Sequence, residues 1–573
     1  MDDNRNARTE RTGSLTGSAI RWVLVLAVNS VVQFEGYALA SVNLPTHHWA
    51  YEAIERLTAM GVIGHAIVVT KPYSRKQAAQ YVAQALRQAA DSPQAQEGQE
   101  EVTGLLLERL VREFRPELMD IGALPGNPRA GLLDSLRILG PSGTSGTKTN
   151  AVRYGGRLQV EGDAFFVGHQ TVRLRENRGG EYYANGEQIQ TDVRGWIELG
   201  DAISIVAQPK YISNPHVLGI GATNNTKEAY LRELNFKLTL ANISLEVGRG
   251  MQWWGPGYHG SLLLTDHAFP LDMIKLGSEE PFRLPWVFRD LGEWKVNTFL
   301  TQLDRDRDFP RAKVFGLRIS YSPTSWLELG LTRLTQFNGR GRDQSFPNAV
   351  LKAYFSNPNT LGGSDVNEQA MIDFRAKVPH INYLVPFPSG LQLYGEIGSE
   401  DKWSKFPLPT QAAVLGGIYI PQLFPGDSTD LRLEYADTDL SRRRTGIANA
   451  WYDNFLYRSG MRYRGFPLGH WMGTDATDYF LRATRHMTDD LVVGVNLDYS
   501  QRGMSLPQHE KKREAAVDVT WWLTGKMQLT VGYTYQHIQN PGQITRINPF
   551  QETFASGVLS ENSFFWTNLA WEF

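Results

Sequence analysis

The chain has 573 residues, of which 42% are hydrophobic and 21% charged, and its formal net charge is −2. This balance excludes a disordered chain and gives no overall bias toward nucleic acid. The sequence contains no cysteine, which excludes thiolate metal sites, disulfide bridges and a cysteine nucleophile and is compatible with export through an oxidising compartment.

The first 40 residues have the pattern of a secretory signal peptide. An apolar run extends from Trp22 to Val32, and Ala38-Leu39-Ala40 provides a small-x-small cleavage pattern before Ser41. Four arginines precede the run or lie at its start: Arg5, Arg8, Arg11 and Arg21. A membrane anchor is the alternative, but about 11 apolar residues are fewer than the roughly 20 that a spanning helix requires. We therefore predict that residues 1–40 direct export across the inner membrane and are then removed.

Residues 41–117 are predicted to form a periplasmic helical bundle. Apolar residues recur at helical spacing from residue 49 until Gly61, which is typical of a helix that ends at a glycine. Ser74 is a candidate N-cap for a second helix. A third helix is expected from Glu100 to Phe114, where Arg115-Pro116 ends it.

Beyond a linker predicted at residues 118–150, which is rich in Gly, Pro, Ser and Thr, the hydrophobic period changes from that of a helix to that of a strand. Residues 491–499 and 527–536 alternate apolar with polar or glycine residues, and about 16 to 20 such segments can be placed in residues 151–573. Soluble all-β proteins also alternate, but their strands are shorter. The last strand ends at Phe573 and resembles the assembly signal of bacterial outer-membrane barrels. We therefore predict a mainly β fold, a transmembrane antiparallel β-barrel.

Residues 251–286 are predicted to be one long loop of this barrel. They place Trp253, Trp254, Tyr258 and Trp286 among glycines and prolines, a composition that favours neither a regular helix nor a central strand. The aromatic residues argue against disorder, and a folded loop of this length is typical of a functional element. Two interpretations stay open: a plug whose aromatic residues form a small core, or the wall of a sugar site.

Several segments in and around this loop form a recognisable set of motifs: Gly248-Arg249-Gly250, Trp253-Trp254-Gly255-Pro256-Gly257, Ser261-Leu262-Leu263-Leu264, Pro270-Leu271-Asp272, Phe282 to Trp286, Lys295-Val296-Asn297 and Arg311-Ala312-Lys313. Together they resemble the central block of the Wzi family of capsule assembly proteins. The motifs span residues 245–335, and the organisation of most of the mature chain is similar too. The resemblance implies an outer-membrane barrel of about 18 strands, with a periplasmic helical bundle, that acts as a lectin for capsular or related polysaccharide.

Polysaccharide recognition requires aromatic faces that stack on sugar rings, together with polar groups and, for acidic polymers, cations. The candidates for polysaccharide binding or for the plug are Arg249, Trp253, Trp254, Tyr258, His259, Arg283, Trp286, Arg340, Arg342, Arg442, Arg443 and Arg444. A further basic cluster comprises Arg305, Arg307 and Arg311. Carboxylates in the loop, such as Asp266 and Asp272, would hydrolyse glycosides only at a separation of about 5 to 9.5 Å, which the sequence does not set. No catalytic residue, cofactor or metal is predicted.

The predicted function is attachment or assembly of extracellular or capsular polysaccharide at the bacterial outer membrane by a non-catalytic, monomeric, lectin-like protein. Its expected partners are this polysaccharide, outer-membrane lipid and other envelope assembly components, but not nucleic acid. One alternative is an outer-membrane channel or export component for saccharides or small solutes. Another is a structural envelope protein anchored through residues 48–78, which resemble an S-layer-homology motif. Conductance would separate a channel from a plugged lectin.

Overall fold

The structure is a computed structural model. It describes residues 41–91, 100–124, 152–167, 176–181, 186–200, 202–213, 227–351, 366–379, 381, 390–400, 412–424, 426, 428–440, 451–543 and 553–573. The predicted signal peptide, linker residues 125–150 and the cluster Arg442-Arg443-Arg444 therefore lie outside the described residues.

Four helices form the N-terminal region. They are α1 Ala50–Ala59, α2 Arg75–Asp91, α3 Glu100–Glu113 and α4 Arg115–Asp120. Gly61 follows α1 with a φ of 82°, and the Ser74 hydroxyl caps α2 by accepting a hydrogen bond from the Gln77 N–H at 3.2 Å. Pro116 does not end the helical region: it lies in the first turn of α4, where its missing N–H costs nothing. The helices therefore continue into the predicted linker. Among the described residues, no helix is long and apolar enough to cross a membrane.

The rest of the described chain forms a closed antiparallel barrel of 18 strands, which confirms the predicted fold class. The strands are β1 Val152–Val167, β2 Gly186–Leu199, β3 Ile203–Ser213, β4 Lys227–Leu240, β5 Ile243–Gly250, β6 Leu271–Ser278, β7 Glu293–Gln302, β8 Lys313–Thr324, β9 Leu327–Phe337, β10 Asn367–Pro379, β11 Gly390–Glu400, β12 Ala412–Ile420, β13 Thr429–Asp437, β14 Ala476–His486, β15 Leu491–Arg502, β16 Glu510–Thr524, β17 Met527–Gln539 and β18 Leu559–Glu572. Each pairs with its neighbour in sequence, and β18 closes the barrel against β1.

Successive side chains of each strand point alternately into the lumen and out of the barrel. In β8, Arg318 and Ser320 are buried in the lumen, whereas Ile319 and Tyr321 face outward. The last strand and the residue after it expose apolar side chains at alternate positions, interrupted only at Thr567: Phe565, Leu569, Trp571 and Phe573. A polar lumen with an apolar exterior is the pattern of a barrel in a lipid bilayer.

The two ends of the barrel differ. At one end, which we call the short-turn end, neighbouring strands are joined by turns such as residues 241–242 and 525–526. The helices contact this end, where Arg153 of β1 pairs with Asp120 of α4 at 2.7 Å. At the opposite end, the long-loop end, the connections include residues 251–270, 303–312 and 438–475.

The prediction of a single loop at residues 251–286 is wrong. Leu271–Ser278 is a full barrel strand, β6, that pairs with β5 on one side and β7 on the other. Its residues alternate between lumen and exterior as a strand requires, but glycines and prolines on both sides hid this period. The segment is therefore two connections at opposite ends of the barrel: residues 251–270 at the long-loop end and residues 279–292 at the short-turn end.

Candidate functional site

Residues 251–270 fold into the lumen, where two buried carboxylates of the barrel wall hold their backbone. Glu396 of β11 accepts hydrogen bonds from the N–H groups of Gly257 at 3.0 Å and Leu262 at 2.7 Å. Glu434 of β13 accepts from the N–H groups of Tyr258 at 2.7 Å and His259 at 2.9 Å. An irregular loop inside a barrel has unpaired backbone donors, and these two side chains supply the missing acceptors.

In this lumen loop, residues 251–270, two glycines lie so close to neighbouring atoms that no other residue fits. A Cβ on Gly257 would lie 1.9 Å from the Gly260 carbonyl oxygen, and a Cβ on Gly260 would lie 2.4 Å from the His470 ring. Neither position has space for a side chain. The unusual composition of the Trp-Trp-Gly-Pro-Gly-Tyr-His-Gly segment is therefore explained by tight packing of the backbone inside the lumen.

The aromatic residues of the loop pack inside the barrel. Trp254 is completely buried, with its ring 5.1 Å from that of Phe299, and Trp253 is 8% exposed and donates its indole N–H to the Gly257 carbonyl at 3.1 Å. The Tyr258 ring lies under the Arg432 guanidinium at 4.4 Å. These rings therefore pack as the core of a plug. They do not present open faces on which a sugar ring could stack.

His259 is the centre of a charged network in the lumen. Its Nδ1 is 2.8 Å from the Asp478 carboxylate and its Nε2 is 3.3 Å from Glu176. Burial disfavours the charged ring, but the two carboxylates outweigh burial and hold the pKa of His259 well above its usual value. His470, which is buried beside it with weaker carboxylate contact, has its pKa lowered to about 4 by burial.

Two sets of described residues each bring three potential metal ligands together: His48, Glu113 and Glu572, and Glu176, His259 and Asp498. In the second set the Lys512 ammonium lies 2.6 Å from both Glu176 and Asp498. In the first set Arg75 contacts Glu113 at 2.6 Å. Protein cations already neutralise these carboxylates, so both sets are ion-pair networks of the fold.

A second segment enters the lumen from the short-turn end. The N–H groups of Val68 and Val69 donate to Glu328 of β9 at 3.2 and 3.3 Å. Thr70 and Lys71 then pair, as a two-residue antiparallel sheet, with Trp254 and Trp253 of the lumen loop. The N-terminal region and the lumen loop thus meet inside the barrel and fill it from both ends.

Three connections at the long-loop end form a joined surface. We call residues 303–312, 338–346 and 451–465 the outer loop platform. The Arg307 guanidinium donates to the carbonyls of Gly460 at 2.8 Å and Arg462 at 3.0 Å, and the Tyr457 hydroxyl donates to the Asn338 carbonyl at 3.1 Å. These bonds fix the three connections to one another.

The outer loop platform presents an aromatic ring and several cations to solvent. The Phe455 side chain is 85% exposed, and the exposed arginines are Arg305, Arg311, Arg340, Arg458 and Arg464. Arg342 stacks over the rings of Phe309 and Tyr457, with 5.5 Å to each ring centre. Acidic residues are interspersed, and Asp306 and Asp343 are also exposed. The surface combines the two elements of acidic-glycan recognition: a free ring face and guanidinium groups.

The remaining candidates are scattered. Arg249 lies on the outward face of β5 and forms a two-pronged ion pair with Asp272 at 2.7 and 2.8 Å. Arg283 and Trp286 lie in the connection 279–292, at the opposite end from the outer loop platform. The structure therefore brings Trp253, Trp254, Tyr258 and His259 together in the lumen and leaves Arg340 and Arg342 on the outer loop platform.

Sequence reasoning missed the groups that hold these two regions. Glu396 and Glu434 lie on the lumen-facing side of their strands. The sequence signal of such strands comes from the apolar residues on the opposite, outward-facing side. Phe455 and Tyr457 belong to a connection in which the sequence predicts only the basic cluster at residues 442–444 as a candidate. The alternation of strand residues predicts that the two carboxylates point into the lumen. No local sequence pattern predicts which loop they bind.

Comparison with known proteins agrees with this architecture. The family model described as capsule assembly protein Wzi matches residues 161–546, which is more than half of the chain. An uncharacterized 55.8 kDa protein in the cps region of Klebsiella pneumoniae is 33% identical over 200 residues, which are 34% of this chain and 38% of that relative's length. The solved structure of Wzi from Escherichia coli, an outer-membrane carbohydrate-binding β-barrel involved in group 1 capsule assembly, is similar with a TM-score of 0.63 and 19% identity, over 92% of this chain and 99% of that one. The chain belongs to the Wzi family of capsule assembly proteins.

Proposed function

We propose that this outer-membrane protein holds capsular or other extracellular polysaccharide at the cell surface without catalysis, and that the outer loop platform is its binding surface. Short turns of outer-membrane barrels face the periplasm and long loops face outward. By this rule we expect the helices to lie in the periplasm and the outer loop platform to lie outside the cell. The observation that carries the proposal is the exposed Phe455 ring among arginines on loops that Arg307 and Tyr457 hold together.

The preferred ligand is an acidic polysaccharide. A sugar ring can stack on Phe455 while carboxylates of the polymer pair with exposed guanidinium groups such as Arg340 and Arg458. Binding through exposed charges weakens as salt rises, because the screening length falls to a few ångströms at about 1 M salt. We expect retention of an acidic polymer to fall with salt and that of a neutral polymer to be weak throughout.

The test is retention of purified acidic and neutral polysaccharides by the full mature protein. Phe455→Ala together with Arg340→Ala should lower retention of the acidic polymer. Lys526→Ala, which removes one exposed positive charge at the short-turn end, is the matched control and should retain the polymer as the wild type does. Equal retention by the platform variant and the control would refute this surface as the site.

The alternative function, a channel, is tested by conductance in planar bilayers. The lumen is occupied by the loop 251–270 and by the N-terminal segment that pairs with it, so the wild type should not pass a steady ionic current. Deletion of residues 252–268 removes the loop but keeps strands β5 and β6, and it should produce conductance. Steady conductance of the wild type, without glycan retention, would favour the channel instead.

A further inference from the structure

The connection 279–292 at the short-turn end exposes large apolar side chains that polysaccharide binding does not use. Residues Trp286–Leu291 form a 3₁₀ helix. Trp286 is 75% exposed, Phe288 51% and Leu291 44%. Three large apolar residues exposed along six positions form a patch that needs a partner.

This patch lies against the outer wall of the barrel rather than over its mouth. Tyr321 points outward from β8, and its hydroxyl donates to the Leu291 carbonyl at 2.6 Å. The same Tyr321 ring stacks on the outward-facing Trp294 at 4.1 Å. The 3₁₀ helix is thereby attached to the face that the barrel presents to lipid, at the level where the strands end.

The backbone at both ends of the patch adopts conformations that turn the chain onto this wall. Trp286 has a φ of 59°, an uncommon value for a bulky residue, directly after an extended Pro285. Gly292 has a φ of 107°, and a Cβ there would lie 2.2 Å from the Ser322 carbonyl oxygen. The uncommon backbone conformation of Trp286 is kept between Pro285 and Gly292, a position that only glycine fits. This indicates that the 3₁₀ helix has a fixed position on the barrel wall.

We propose that residues 282–291 are an interfacial anchor that inserts into the headgroup region of the phospholipid leaflet on the short-turn side. Tryptophan and phenylalanine favour the membrane–water interface, and exposed cations near them bind lipid phosphates. Arg283 and Arg289 are exposed beside the apolar residues, as is Asp290. The neighbouring turn adds Trp326, which is 51% exposed, so the patch continues the lipid-facing belt of the barrel. This proposal is independent of polysaccharide binding.

The absence of cysteine from the whole chain makes a site-specific test direct. A single cysteine is introduced by Phe288→Cys, labelled with an environment-sensitive fluorophore, and the full mature protein is placed in vesicles of phosphatidylethanolamine and phosphatidylglycerol. Leu276→Cys, on the outward face of β6, reports contact with lipid, and Phe455→Cys on the outer loop platform reports contact with water. Leu291→Cys is a second probe of the patch in case the label disturbs position 288.

Each probe is quenched in separate samples by nitroxide-bearing phospholipid and by aqueous iodide. The anchor predicts that labels at positions 288 and 291 have blue-shifted emission, are quenched by the lipid nitroxide as the label at 276 is, and are protected from iodide. Labels at 288 and 291 that are quenched by iodide as strongly as the label at 455, and that do not respond to the lipid nitroxide, would overturn the proposal.

Discussion

Replacement of Glu396 by alanine tests how firmly the lumen loop is held. The change removes the shared acceptor of the Gly257 and Leu262 N–H groups. The Ser261 hydroxyl, also in contact with Glu396, can still donate to the Trp254 carbonyl at 2.6 Å. Two buried N–H groups are then unpaired, at about 1.5 kcal/mol each. The loop is therefore expected to be less stable by about 3 kcal/mol, which corresponds to about a hundredfold greater open population.

Hydrogen exchange followed by mass spectrometry measures this population directly. In Glu396→Ala the amides of residues 255–264 should exchange about a hundredfold faster than in the wild type, while those of a distant strand such as Leu491–Arg502 should not change. Asp192→Asn is the matched control, because the Asp192 carboxylate accepts from Gln208 of the neighbouring strand and not from the loop. Unchanged exchange of residues 255–264 in Glu396→Ala would refute the claim that this carboxylate holds the loop.

Three further substitutions in the lumen loop have defined expected effects. Trp254→Ala removes a fully buried ring and should destabilise the lumen loop by about 3 to 5 kcal/mol. Hydrogen exchange of residues 255–264 measures this change. Gly257→Ala forces a Cβ against the Gly260 carbonyl, and the resulting displacement should raise conductance in bilayers. His259→Gln removes the positive charge that stabilises the folded protein. Because the folded-state pKa of His259 is raised, the contribution of this charge to stability is fully present below about pH 6.5. It is lost as the pH rises through the raised pKa. The difference in thermal unfolding temperature from the wild type should therefore be largest near pH 6 and shrink in alkaline buffer.

The barrel can be predicted from the sequence because a lipid bilayer imposes a strict residue pattern on every strand. Lipid requires apolar residues on one face of every strand, so the period of 2 persists to Phe573 and gives both the fold class and the approximate number of strands. The connections carry no such constraint. Residues 271–278 obey the strand period but stand between glycine- and proline-rich segments, and local composition concealed them.

The candidate site was less predictable because its contacts join distant parts of the chain. Glu396 lies 134 residues from Leu262 in sequence, and Arg307 lies 153 residues from Gly460. Each of these side chains is unremarkable in its own segment, since lumen-facing strand positions and loops commonly carry charges. The aromatic composition of residues 253–258 indicated a folded element, but the choice between a plug core and a stacking surface depends on which lumen groups surround it.

The lumen contents also predict coupling between the two ends of the barrel. The segment anchored by Glu328 pairs directly with the lumen loop, and the Gly255 N–H donates to the Val69 carbonyl at 3.0 Å. Glu328→Gln retains the shape of the side chain but offers one oxygen to the two N–H donors of Val68 and Val69, and it removes the charge that the buried Arg375 guanidinium contacts at 3.0 Å. Loss of one such hydrogen bond costs about 1 kcal/mol and the unpaired Arg375 adds to this cost, so the open population should rise at least roughly fivefold.

If the two segments open as one unit, Glu328→Gln accelerates exchange at Val68 and Val69 and also at Trp254 and Gly255, whose N–H groups donate to the Leu264 and Val69 carbonyls rather than to Glu328. The amides of the distant strand Leu491–Arg502 serve as the internal reference and should change little. Acceleration confined to residues 68–71 would show that the two segments open independently. Acceleration at both would mean that a change at Glu328, near the short-turn end, reaches the lumen loop through the pairing of Thr70 and Lys71 with Trp254 and Trp253.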